Sequence, residues 1–263
     1  MDLAAFTQLH LPALSADEVR FGLVISVMTW AKSADPDAAR RWSLGPAGHC
    51  AIAMAGRPVL LGRLDEGECI ALGRDLATGA FAGIVGADEA PHHVAGEVRR
   101  LGIELLDPIP QCIYRLDQRP RFPGAAGEAR LAVPQDGPLL ARWLAAFHAE
   151  ATPHEAPPRP EDGERAAASG RYMLWTVAGR VVSFAAIGRR PGRSGGIAPV
   201  YTPPEERGRG YAGSATAAAA EMLLDEGRTV VSLYTDLRNP ASNRCYQRIG
   251  FVPHCKSWHY VRR

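Results

Sequence analysis

Apolar positions along this chain switch between a helical rhythm and short extended runs, and the switches mark its elements. Ser15 to Ala31 opens with Ser15-x-x-Glu18, the spacing of a capping box, and continues into dense apolar content, which predicts a buried helix. His49 to Met54 and Pro58 to Leu64 read as two strands turned at Ala55-Gly56-Arg57, a hairpin. A helical stretch around Cys69 to Leu76 and a short apolar segment, Phe81 to Val85, come next. A helix then starts near Asp88, with Pro91 in its first turn and Val94, Val98 and Leu101 on one face. Gln111 to Leu116 reads as a further strand.

The clearest shift in composition is Arg119-Pro-Arg-Phe-Pro-Gly-Ala-Ala-Gly127, rich in proline and glycine between regular segments. It divides the chain into an α/β unit over 1–122 and a second unit over 126–263. In the second, Glu128 to Val133 is a strand, and Leu139, Leu140, Trp143, Leu144 and Phe147 form the apolar face of a helix. After the polar segment Thr152 to Asp162 come a short helix (Glu164 to Ser169) and strands Tyr172 to Val177 and Val181 to Ile187, joined by a hairpin turn. Strand Ile197 to Thr202, a Gly-rich turn, a helix from Tyr211 to Glu226, strand Thr229 to Tyr234 and a helix from Pro240 to Arg248 follow. The terminal Trp258, His259 and Tyr260 read as an edge strand. The order is βααβββαβαβ.

Length changes this picture little: 263 residues suit two ordinary domains. With 46% apolar and 22% charged residues and a net charge of +2, nothing attracts the chain broadly to nucleic acid or membrane. The apolar run Phe21 to Ala31 is too short to cross a bilayer, and Met1 to His10 lacks the pattern of a secretory leader, so a cytoplasmic protein is expected. The five cysteines are scattered without C-x-x-C spacing, which argues against a disulfide framework or a metal site. His92 and His93, adjacent in sequence, point apart on a helix and read as solvated.

Chemistry concentrates in Pro199-Val-Tyr-Thr-Pro-Pro-Glu-Glu-Arg-Gly-Arg-Gly-Tyr-Ala212, where a strand ends and a long helix begins. Free amides at a helix start bind anions, Gly208 and Gly210 let the backbone approach closely, and Arg207 and Arg209 add charge. The segment is neither a P-loop nor a dinucleotide fingerprint. Downstream, Asn239 precedes Pro240 at a helix start, Tyr246 follows two turns later, and Gly250 ends the helix.

Arg207-x-x-Gly210-x-Ala212 resembles the pyrophosphate loop of the GNAT superfamily of N-acetyltransferases, and Asn239-x-x-Ser242-x-x-x-Tyr246-x-x-x-Gly250-Phe251 resembles its second coenzyme A motif. The resemblance covers the second half of the chain. It implies a mixed, mostly antiparallel α/β sheet flanked by helices, with acetyl-CoA as acyl donor, no metal, and a small-molecule or peptide amine as acceptor. Residues Arg207, Gly208, Arg209, Gly210, Tyr211 and Ala212 would hold the pyrophosphate. The strand through Val200 and Tyr201 would pair with the pantetheine arm, and Asn239 would bond to the pantetheine or acetyl region. Tyr246 would protonate the departing thiolate as general acid. The general base stays open among His148, Glu150 and Asp236, each of which also has an ordinary structural role; Glu205 and Glu206 read as solvated charge. The first half looks like a diverged acetyltransferase-like domain without either motif, serving as a pocket wall, a dimer surface or a support. A non-catalytic acyl-CoA-binding or regulatory protein is the alternative, and the acyl-chain length is unspecified.

Overall fold

The computed structural model describes residues 1–33, 37 and 39–263. The first half runs α1 (Leu3–Leu14), α2 (Gly22–Ser33), β1 (Ala39–Ser43), β2 (Cys50–Met54), β3 (Val59–Leu61), α3 (Glu66–Ala77), β4 (Gly83–Ala87), α4 (Ala90–Arg100) and β5 (Ile109–Leu116). The second runs β6 (Glu128–Leu131), α5 (Gly137–Ala151), α6 (Glu161–Ala168), β7 (Tyr172–Val177), β8 (Arg180–Ile187), β9 (Ser194–Tyr201), α7 (Tyr211–Asp225), β10 (Val230–Asp236), α8 (Pro240–Ile249) and β11 (Val252–Val261). After β6, the second series repeats the first element for element.

All eleven strands form one mixed, mostly antiparallel sheet in the order β1-β2-β3-β4-β11-β5-β10-β9-β8-β7-β6. Only β3 with β4 and β9 with β10 run parallel. The last strand of each series lies beside elements of the other: β5 pairs with β10 and β11, and β11 pairs with β4 and β5. The terminal segment, expected at an edge, is therefore a central strand. Its alternation of Trp258, His259 and Tyr260 serves two covered faces rather than one.

Strand alternation divides the core. Cys112, Tyr114 and Leu116 of β5 pack under α7 and α8. Trp258 is paired with Pro110, so it shares that face, where it packs with α3 and α4. The opposite face carries α1 and α2 over β2 and β4, and α5 and α6 over β7 and β8. Among the described residues, no helix is long and apolar enough to cross a membrane.

Three local expectations are corrected. Ser15–Asp17 make only a 3-10 turn and α2 starts at Gly22, because Glu18 is used elsewhere: its carboxylate accepts from the amides of Arg193 (2.8 Å) and Ser194 (2.9 Å). His92 is packed, its ring 4.3 Å from that of Trp258 and hydrogen-bonded to the Tyr260 hydroxyl. Leu101 falls just past α4 and stays 41% exposed, while Val94 and Val98 are buried. Helix α1 and strand β1 add to the elements read from sequence. The five thiols are free, and burial pushes those of Cys50, Cys69 and Cys255 up to about 12, far from thiolate chemistry at neutral pH.

His259 of β11 is buried, with its ring 5.0 Å from that of His154 in the α5–α6 connection. Desolvation, and secondarily the neighbouring His154, hold His259 down at about 4. The unfolded chain takes up this proton near 6.5, so stability is retained above that value and lost as pH falls from about 6.5 to about 4. The loss is on the order of 2–3 kcal/mol from this group. Chemical denaturation at stepped pH should show that slope, and His259→Asn should flatten it.

Candidate active site

β9 and β10 pair at Ser194–Val230, Gly195–Val231 and Gly196–Ser232, and then part. Before that point, two glycines let other groups lie close against both faces of β9. A Cβ on Gly195 would stand 2.7 Å from Leu223 of α7, and one on Gly196 would stand 2.8 Å from Arg189 on the other face. Beyond them β9 pairs only with β8, through Val200–Ala185 and Tyr201–Phe184. One edge of β9 therefore faces an open wedge, and Ala198 is exposed in mid-sheet.

The chain then makes a 3-10 turn, Pro204–Glu206, and enters α7 through Gly208 (φ +79°) and Gly210 (φ +83°), conformations that favour glycine. Among the described residues, no acceptor meets the backbone amides of Gly208, Arg209, Gly210, Tyr211, Ala212 or Gly213. Six successive free donors at a fifteen-residue helix concentrate positive potential at one spot. The segment between β5 and β6 borders it: the Ala125 amide donates to Ser214 Oγ at 2.8 Å, and Phe122 fills the space where Gly213 lacks a side chain.

The two arginines of the turn are directed to carboxylates. Arg207 donates to Glu150 of α5 at 2.6 Å and to the Thr202 carbonyl at 2.9 Å. Arg209 lies 3.1 Å from Glu206, which is also paired with Arg180. Glu206, expected as solvated charge, is only 4% exposed and acts as the buried anchor of the turn.

On α8, the Asn239 side-chain oxygen accepts from the Ser242 amide at 3.1 Å, so it caps the helix. Tyr246 is half-buried, edge-on to Phe251 at 6.1 Å, and packed against the core under α7. Burial pushes its phenol upward. A group that sequence reasoning missed fixes this helix. Tyr114 of β5 donates to Asn243 Oδ1 at 3.2 Å and accepts from Gln247 Nε2 at 3.1 Å. The i, i+4 spacing of Asn243 and Gln247 was the available signal, but it identifies no partner on another strand.

Of the three candidate bases, Glu150 reaches the site, between Arg207 and the Tyr201 hydroxyl (3.4 Å). Asp236 ends β10 and is held by the Arg238 guanidinium at 2.9 Å. His148 contacts Thr152 Oγ1 through Nδ1, at 3.4 Å.

The matching position in the first series is the start of α3, where side chains meet two of the amides. Asp65 accepts from the Glu68 amide (2.8 Å), and Glu68 accepts from the Asp65 amide (3.0 Å) and contacts His49 Nδ1 (2.7 Å). With Glu66 in the same turn, this helix start presents negative charge.

Residues 138–251 match the acetyltransferase (GNAT) family. Solved structures similar to this chain include a GCN5-related N-acetyltransferase from Kribbella flavida, at 16% identity and TM-score 0.59, over 92% of this chain and 95% of that one. A GCN5-related N-acetyltransferase from Sphaerobacter thermophilus is similar at 17% identity and TM-score 0.56, over 93% and 91%. An acetyltransferase from the GNAT family of Colwellia psychrerythraea is similar at 8% identity and TM-score 0.57, over 89% and 90%. At these identities the likeness is one of fold, and it extends across both series. No curated protein matches the chain.

Proposed function

We propose that the protein, whose residues 138–251 match the acetyltransferase (GNAT) family, transfers an acetyl group from acetyl-CoA to an amine by direct attack in a ternary complex. The observation that carries this reading is the run of six free amides, Gly208 to Gly213, beside the wedge between β9 and β10. A pyrophosphate is the anion suited to several converging N–H donors, and the thioester arm suits an open strand edge. The pantetheine would then lie along Val200 and Tyr201, with backbone donors of β9 polarising the acetyl carbonyl. The amine attacks that carbon, the C–S bond breaks, and the departing sulfur takes the Tyr246 phenolic proton. The amine's surplus proton leaves through the solvent-facing wedge, and a proton taken up from solvent restores the phenol. Burial raises the Tyr246 phenol, which keeps it protonated at neutral pH, as an acid must be.

In the same reading the first half supports the sheet and binds no donor. Its helix start is occupied by Asp65 and Glu68, which would repel pyrophosphate.

Glu150 and the pyrophosphate would compete for Arg207. Binding the donor means exchanging the 2.6 Å pair for a phosphate contact. Both partners are about half exposed, so the pair is worth little in the free protein, on the order of 0.5–1 kcal/mol. Glu150→Gln should therefore tighten CoA binding by roughly 2- to 5-fold in calorimetric titration. Unchanged or weaker binding would remove Arg207 from the donor site.

A further inference from the structure

On the face opposite α7, the sheet is covered by α1 and α2 on one side and by α5 and α6 on the other. Between them it stays open. Ala198 is exposed and Gln111, Tyr234 and Asp236 are partly exposed, although all four lie on interior strands. This groove meets the β9–β10 wedge from the side away from the proposed donor, where an acceptor would approach.

At the base of the groove lies Arg189, from the connection between β8 and β9. Its guanidinium carbon sits 4.8 Å from the centre of the Tyr234 ring and rests against Gly196 and Gly22, where added Cβ atoms would stand 3.2 Å from Cζ and 3.3 Å from Nε. Nε and Nη2 are sealed from solvent and find no acceptor among the described residues; Nη1 is not among the sealed atoms. The surrounding carboxylates are committed elsewhere. Glu18 holds the amides of Arg193 and Ser194, Asp17 contacts His254 at 2.8 Å, Glu226 pairs with Arg190 at 3.0 Å, and Asp236 pairs with Arg238. A desolvated guanidinium without a counter-ion is costly, and stacking on a tyrosine returns only part of that cost. An anion at this point would offset the remainder.

We propose that Arg189 receives the carboxylate of the acceptor, so that the substrates are amines that also carry a carboxylate, as amino acids do. This inference rests on the transferase reading above. From Gly196, beside the guanidinium, to Ala198, at the parting of the strands, is two residues, about 6–7 Å along β9, a span that a short amino acid bridges. The carboxylate at the base would aim the amine toward the wedge.

The test compares matched acceptors with acetyl-CoA as donor: proteinogenic amino acids, β-alanine and 4-aminobutyrate, each against its carboxamide and its phosphonate. The wild-type protein should favour at least one carboxylate over its carboxamide by 10-fold or more in kcat/KM. Arg189→Met should bring that ratio within about 2-fold through KM, and Arg189→Lys should restore part of it. Equal use of carboxylate and carboxamide by the wild type overturns the proposal, and this comparison needs no variant to fold. Preference for the phosphonate also overturns it, as does a folded Arg189→Met that loses both acceptors alike. Turnover of carboxamides without discrimination leaves the transferase reading intact. Absence of turnover with every acceptor contradicts this inference, and CoA titration then shows whether the donor reading falls with it.

Discussion

A fragment of residues 126–263 is expected to remain unfolded, although it contains every residue of the proposed donor site. In the full chain, β10 is flanked by β9 and β5, and β11 by β4 and β5. Removing residues 1–125 takes both neighbours of β11 and one neighbour of β10. It also removes Cys112, Tyr114 and Leu116, all buried, and Phe122, packed at Gly213, from the core beneath α7 and α8. At about 1.5–3 kcal/mol for each large apolar side chain, Tyr114, Leu116 and Phe122 alone represent roughly 5–9 kcal/mol. That is comparable to the whole stability of a typical domain, about 5–15 kcal/mol. Ten residues of unpaired β11 add an exposed aggregation edge. Amide spectra and thermal melts check this: the fragment should lack dispersion and a cooperative transition, whereas a folded, cooperative fragment would show that the exchanged strands contribute little.

Tyr246→Phe is expected to lower turnover by roughly 10²-fold while leaving CoA affinity within about 2-fold, since general-acid assistance typically contributes 10²–10⁴-fold. The substitution removes one oxygen. The ring keeps its contact with Phe251 and the core under α7, so little stability should be lost. Steady-state kinetics with titration of CoA separates the two effects. The loss should shrink for thioesters whose thiols leave more readily, because a better leaving group needs less protonation. Full activity across pH would assign the acid elsewhere.

The Gly-rich turn before α7 was legible in sequence because its residues are local. Gly208 and Gly210, read there as permitting close backbone approach, take positive φ, and the six amides meet no acceptor among the described residues. Helix α8 was legible for the same reason: Asn239 caps it and Gly250 ends it within one short stretch. What depends on residues far apart in the chain was not legible. Glu18 has the spacing of a local cap, yet backbone amides 175 and 176 residues away claim it. The alternation at Trp258, His259 and Tyr260 says that successive side chains face opposite ways, but not that a strand lies on each side. Tyr114 was one apolar position in a strand, with no sign that its hydroxyl would hold α8. Arg207 and Arg209 were correctly placed in the turn, while the partners they take, Glu150 and Glu206, follow from tertiary packing.

The most direct test mixes the purified 263-residue protein with acetyl-CoA and a broad set of primary amines, and measures free coenzyme A thiol together with the mass of each amine. The account predicts amine-dependent thiol release with one acetyl group gained per thiol, and binding of one CoA per chain. One CoA bound per chain, with no amine raising thiol release above the amine-free rate, would contradict it and leave a protein that binds the donor without transferring from it.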